Sequence, residues 1–240
     1  MRYLISISYD GSKFQGFQRL KENASVQKVI EEALTKINKD KVVIKGAGRT
    51  DRGVHALDQK AHFDLNINIT PEGLKKALNS LVKPYIYIND CKIVDENFHA
   101  RFCVKEKVYV YKINLGEYNP ILKDYVNQNV NNLDIKAMKK ASKVFLGVHN
   151  FKNFVSGERD NYDCIIYKIK FKVVNNILEI EFTGKSFYRY MVRNLVGALI
   201  EVGKHKINSE YLENMLENYD TAINLPTSDA CGLYLKQIKY

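Results

Sequence analysis

The sequence predicts an α+β protein made of two similar halves, whose sheets pack or join and carry helices on one face. Three observations predict this. Runs that alternate apolar and polar residues recur between runs of helical period, in both halves. Each half places its strands around two helices. No low-complexity linker separates the halves. A chain of 240 residues has room for one large domain or two small ones. Hydrophobic content of 45% and charged content of 27% belong to a soluble globular protein and exclude the collagen-like, disordered and disulfide-rich classes.

The elements follow in order. Tyr3 to Tyr9 alternates and stops at Asp10-Gly11, a strand and its turn. Ser25 reads as a helix N-cap, with Val26, Val29, Ile30, Ala33, Leu34 and Ile37 at helical spacing behind it, so the helix runs to about Asn38. Val42 to Lys45 make a short strand, and His55 to Leu65 are extended. Thr70-Pro71 opens a second helix, with Leu74, Ala77, Leu78 and Leu81 on one face. Tyr85 to Val94 alternate as a strand. Beyond it, Lys107 to Leu115 are a strand, and Leu133 to Phe145 a helix carrying Ala137, Ala141 and Val144. Ile165 to Val174 and Ile177 to Phe182 are strands around an Asn175-Asn176 turn. Phe187 to Val202 read as one long helix, Ser209 caps another, and Leu233 to Ile238 close the chain as a strand. The order is that of a duplicated ferredoxin-like or RNA-recognition-module sandwich, although no literal repeat occurs. The halves fall at residues 1–103 and 104–240.

One segment demands chemistry. Gly46 to Ala56 reads GAGRTDRGVHA, with Asp51 set between Arg49 and Arg52. A tight turn accounts for the glycines. It does not account for the charges. The segment lacks the G-K-[ST] ending of a P-loop and the spacing of a dinucleotide fingerprint. Neighbouring cations favour an ionised carboxylate, and a carboxylate held on a kinked loop can act as a nucleophile. Arginines suit phosphate contacts. Together these point to a nucleic-acid substrate whose backbone the arginines hold while Asp51 reaches the base or sugar.

Three further stretches fit. Tyr9 to Arg19, YDGSKFQGFQR, offers Gln15, Gln18 and Arg19 on a polar-aromatic loop. Phe98 to Lys112 contains FHARF and VYVYK, with Tyr109 and Tyr111 on one strand face, either core packing or a surface on which an unpaired base stacks. Ser186 to Leu199, SFYRYMVRNLVGAL, places Arg189 and Arg193 four apart, hence on one face of the expected helix.

The net charge of +10 favours a polyanionic partner. Cys91, Cys103, Cys164 and Cys231 are scattered, as expected of inert thiols in a reducing compartment. The five histidines show no ligand spacing and no paired carboxylates suggest a two-metal site, so the expectation is chemistry without a metal. The N-terminus has no apolar h-region and no run reaches membrane length, so the expected location is cytoplasmic, away from membranes.

YDGSKFQGFQ, GAGRTDRGVHA, FHARF, VYVYK, MVRNLVG and GLYL occur in that order along nearly the whole chain. This series resembles the TruA-type tRNA pseudouridine synthases. The resemblance implies the pseudouridine synthase fold: two α+β halves forming one continuous, mostly antiparallel mixed sheet, with a basic cleft between them. It implies isomerisation of uridine to pseudouridine in the anticodon stem-loop of tRNA (the family's tRNA positions 38–40), with base flipping and no cofactor. Family members are homodimers in which one tRNA contacts both subunits. Carried over residue by residue, Asp51 is the catalytic nucleophile and Arg49 helps to flip the nucleotide. Tyr109 packs on the uracil, Arg193 pairs with the aspartate, and Leu233 lines the pocket. Arg52, Arg189, Gln15 and Arg19 are taken as further RNA contacts. The residues leave open whether Asp51 attacks C6 of uracil, attacks C1′ or assists a glycal route. The chain departs from the family at Phe17, commonly tryptophan, and at Ser228 to Cys231, where a proline is common. It departs again at Ile165-Ile166, where the strand often begins with arginine. These put substrate range in question more than reaction type. The competing readings are an RNA-binding protein without catalysis and a metal-dependent nuclease.

Overall fold

The computed structural model describes residues 1–20, 22, 24–128, 130, 132–218 and 225–240. The chain divides into two compact units, Met1–Lys105 together with Tyr234–Tyr240, and Glu106–Leu233.

In the first unit, β1 (Arg2–Tyr9), α1 (Val26–Asn38), β2 (Lys45–Gly46), β3 (His55–Asp64), α2 (Pro71–Val82) and β4 (Ile86–Ile93) follow one another. The sheet order is β4-β1-β3-β9, with β2 on β3 and β9 being Leu233–Lys239. β1 pairs antiparallel with β3 and β4, and the β3–β9 pair is parallel. Alternate residues of β1, namely Tyr3, Ile5 and Ile7, are fully buried, as are Ile30 and Leu34 of α1 and Leu74 and Leu78 of α2. Burial of such side chains contributes roughly 1.5–3 kcal/mol each. Both helices begin as their sequences require. Ser25 accepts a bond from Lys28 N and Thr70 accepts one from Gly73 N, each filling an orphan donor of the first turn. Asn79 then ties α2 to β4, donating to Ile88 O at 3.0 Å and accepting from Ile88 N at 2.7 Å. The strand expected over Val42 to Lys45 is regular only at Lys45–Gly46.

The second unit holds β5 (Glu106–Asn114), α3 (Ile135–Ala141), β6 (Gly147–Asn150), β7 (Asp163–Val174), β8 (Ile177–Gly184), α4 (Met191–Gly203) and α5 (Ser209–Glu217). Its strands run in the order β5-β8-β7-β6, all antiparallel. Asn175 and Asn176 have φ of 49° and 60° and make the β7–β8 turn, the two left-handed residues such a hairpin needs. Tyr109, Tyr111 and Ile113 stand opposite Phe182, Ile180 and Leu178, so these residues share one face, and all six are buried. α4 is buried nearly all round, as a core helix must be.

The α+β class and the mostly antiparallel strands agree with expectation. Four details differ. The last strand joins the first unit, because β9 pairs in parallel with β3. The helix expected from Phe187 starts at Met191. Tyr190 has φ 62°, a left-handed conformation that interrupts helical winding, so Arg189 lies outside the helix and does not share a helical face with Arg193. The helix expected to Phe145 tightens into a 3₁₀ turn after Ala141. The last helix is capped by Asn208, whose side chain accepts from Tyr211 N, rather than by Ser209.

Candidate active site

Asp51 sits on a loop locked against the loop that follows β1. The chain leaves β2 alongside β3, where Ala47 N donates to Lys60 O at 2.8 Å and Gln59 Nε2 donates to Gly48 O at 3.1 Å. Thr50 is buried, its hydroxyl bonded to the Tyr9 phenol at 2.8 Å and its carbonyl accepting from Phe17 N at 3.2 Å. Burial raises the Tyr9 phenol well above its ordinary pKa, so it stays neutral. Val54 N donates to Asp51 O at 3.1 Å, closing a turn in which Gly53 has φ 79°. A Cβ at Gly16 would stand 2.8 Å from Thr50 O, and one at Gly11 would overlap the Val54 carbonyl. The glycines of the first motif therefore allow its backbone to touch that of the second. His55 completes the seam, since its Nδ1 accepts from Gly11 N at 3.1 Å and its ring stacks on Tyr234 at 4.6 Å. The outcome is a half-buried Asp51 between two exposed arginines, Arg49 and Arg52.

Of the other residues expected in this unit, Gln15 is exposed beside the seam, its backbone N–H donating to Ala24 O. Arg19 has a structural partner. Its guanidinium pairs with Glu31, a carboxylate only 3% exposed that also accepts from Gln27 Nε2 and Ile44 N, each at 3.0 Å. Arg19 therefore offsets a buried charge that would otherwise be costly.

In the second unit, Tyr109 is buried and meets Phe187 edge-on at 5.2 Å. Tyr111, two residues on, is core. It is fully buried, donates to Asp229 O at 2.8 Å and accepts from Asn127 Nδ2 at 3.0 Å. The guanidinium carbons of Arg193 and Arg189 lie 4.8 Å and 5.0 Å from the Tyr190 ring centroid. Arg193 is further clamped to Ser228: its Nε donates to Ser228 O at 2.7 Å, and Ser228 N donates to Arg193 O at 3.2 Å. Thr227 Oγ1 donates to Asn194 Oδ1 at 2.7 Å, and a Cβ at Gly197 would overlap the Pro226 carbonyl. Within MVRNLVG, Arg193, Asn194 and Gly197 thus fasten α4 to a strap, residues 226–228. Leu233 is buried where β9 begins, after a 3₁₀ turn over Ala230–Gly232.

FHARF forms a turn clasped to β3. Ala100 N donates to His62 Nδ1 at 3.0 Å, and Tyr240 donates to Ala100 O at 2.9 Å. Burial, with His99 and Arg2 nearby, pushes His62 down to about 4. The folded value lies below the ordinary one, so the unfolded chain binds the extra proton first. Stability present above about pH 6.5 is therefore lost as pH falls toward 4, by roughly 2–3 kcal/mol at most. Urea midpoints at pH 7 and pH 4.5 should show this fall, and His62→Gln, which does not titrate, should reduce it. An unchanged slope in the variant would assign the acid sensitivity elsewhere.

Among the described residues no group of three or more His, Cys, Asp or Glu side chains is placed to hold a metal ion. No helix among them is long and apolar enough to cross a membrane.

The α+β chain that carries this loop falls in a class of RNA-modifying enzyme. The chain is a member of the tRNA pseudouridine synthase family, whose model matches residues 5–103 and 141–240. It is 36% identical over 240 residues to tRNA pseudouridine synthase A of Mycoplasma genitalium, covering 100% of this chain and 98% of that one. It is 38% identical over 243 residues to tRNA pseudouridine synthase A of Pseudothermotoga lettingae, covering 100% and 99%. The corresponding protein of Staphylococcus carnosus is 37% identical over 241 residues, with 99% and 90% covered. The chain is accordingly an isomerase acting on tRNA uridine. A chain in a solved structure, "Crystal Structure of a Cbf5-Nop10-Gar1 Complex", matches at TM-score 0.36 with 10% identity, over 82% of this chain and 53% of that one.

Proposed function

We propose that this isomerase acts on uridines of the anticodon stem-loop and that Asp51 carries the reaction. The observation behind this is the Asp51 loop itself, where one half-buried carboxylate is held between Arg49 and Arg52 by the Thr50 and Gly16 contacts. Binding alone gives no reason to turn a carboxylate toward a polyanion. The reaction breaks the bond from uracil N1 to ribose C1′, rotates the base, and joins C5 to C1′. The hydrogen on C5 leaves as a proton and N1, freed from C1′, takes one up, so the product is an isomer and no electrons are exchanged. A base in a stem must first leave the stack, at a cost of a few kcal/mol. In this reading Arg49 takes part in the flip, Tyr109 packs against the uracil, and Leu233 supplies an apolar wall. Arg193 provides the cation that steadies the carboxylate. Arg52, Arg189, Gln15 and Arg19 meet the RNA, Arg19 through the edge not taken by Glu31. The active form is a cytoplasmic homodimer with tRNA across both subunits.

The test is tritium release from tRNA transcribed with [5-³H]uridine, since forming the C5–C1′ bond expels that hydrogen. Release that maps to the anticodon stem-loop is expected; release mapping elsewhere overturns the positional reading. Binding should also weaken with salt, because a chain of net charge +10 displaces counterions from RNA. A loss of more than about tenfold in affinity between 50 and 200 mM salt is expected, and a flat response would contradict phosphate docking.

A further inference from the structure

The most exposed aromatic ring of the FHARF turn is not used by the reaction. Phe102 is 77% exposed. It is nonetheless held in place: its ring stacks on the His99 imidazole at 4.3 Å and 28°, and its N–H donates to His99 O at 3.1 Å. His99 in turn stands against His62 at 4.7 Å, and His62 clasps the turn through Ala100 N. One face of the Phe102 ring is therefore backed by His99 while the exposure lies on the other. Cationic groups stand close by. The Arg101 guanidinium lies 5.9 Å from the ring centroid, and Lys45, Arg2 and Arg101 all act electrostatically on His99. The acidic groups nearby, Asp64, Asp95 and Glu96, face Arg2, which is bonded to Asp64 at 2.9 Å. Such a ring suits the flat face of a nucleobase with phosphates alongside, and is poorly matched to an apolar protein surface.

We propose that Phe102, backed by His99 and flanked by Arg101, is a stacking platform for an unpaired base of the RNA other than the uridine that reacts. The spacing along β3 requires that distinction. His62 pairs with Lys45 near the far end of β3 from His55, which puts the platform roughly 20 Å from the Asp51 end of that strand. The platform thus acts on binding of the substrate and not on the bond-breaking step. The inference rests on the chain binding tRNA, as proposed above.

The experiment compares Phe102→Ala, Phe102→Leu and Phe102→Trp with the wild type, for tRNA affinity at fixed salt and for tritium release. Loss of one base stack should raise Kd and KM about tenfold in the Ala and Leu variants while kcat stays within about twofold. Phe102→Trp, which keeps a π face, should bind as the wild type does. Affinity unchanged in Phe102→Ala overturns the proposal. So does Leu performing as well as Trp, which would mean an ordinary apolar contact. A variant whose sedimentation mass changes while tRNA affinity does not would show that Phe102 meets protein, and overturns it too. A wild type inactive on tRNA strikes the function itself, whereas an active wild type with an indifferent Phe102→Ala strikes only the platform.

Discussion

Asp51→Asn should bind tRNA as well as the wild type and release no tritium. The change is nearly isosteric, so the turn closed by Val54 N and Asp51 O is left in place. It deletes a negative charge facing a polyanion, so affinity should hold or improve. What disappears is the nucleophile, or the group that assists departure of the base, and the expected fall in kcat is on the order of a thousandfold or more. Filter binding beside tritium release reads both quantities on one preparation. Activity within about tenfold of wild type would remove Asp51 from the chemistry.

Gly197→Ala should unfold at lower temperature and lose activity. Two effects oppose each other here. Alanine is the better helix former by about 1 kcal/mol, which favours the variant. Its Cβ, however, would overlap the Pro226 carbonyl, a backbone atom that cannot rotate aside. Overpacking of this kind costs about 1–3 kcal/mol, so the steric effect wins. A backbone overlap this close takes the upper end of that range, a net loss of about 2 kcal/mol, which should lower Tm by roughly 4–8 °C for a chain of this size. Activity should fall further than stability does, because moving the strap withdraws Ser228 O from Arg193 Nε. Calorimetry with kcat measured well below Tm separates the two. An unchanged Tm would mean that the strap yields freely and does not position Arg193.

Periodicity carried most of the fold. Helices capped by Ser25 and Thr70 and the Asn175-Asn176 hairpin were legible because each is decided by residues close together in sequence. The misplaced start of α4 shows the limit: SFYRYMVRN has helical spacing, but Tyr190 is left-handed, which neither spacing nor propensity announces. Asp51 stood out because its charge pattern contradicted a plain turn. The partners of the other residues did not. Nothing local to Arg19 points to Glu31, twelve residues on, nor does anything near His62 point to Ala100. A sign of the strap was present, since a lone glycine in an apolar helix often marks a close backbone approach, and Gly197 follows Arg193 by one turn.

β9 also bears on the order in which the protein is made. The unit that begins first is the one completed later, because its parallel partner for His55 and Ala56 is synthesised only after residues 106–233 have been. The bond from Ile238 N to Asp58 closes a separation of 180 residues. The later unit is continuous and mostly local in its pairings, so it can complete its own hairpins while the earlier one is still waiting for its last strand. Pulse proteolysis of nascent chains should find protection arising first in the segment emerging second. The loop bearing Asp51, whose seam ends on the His55–Tyr234 stack, would be among the latest parts of the molecule to acquire its final form.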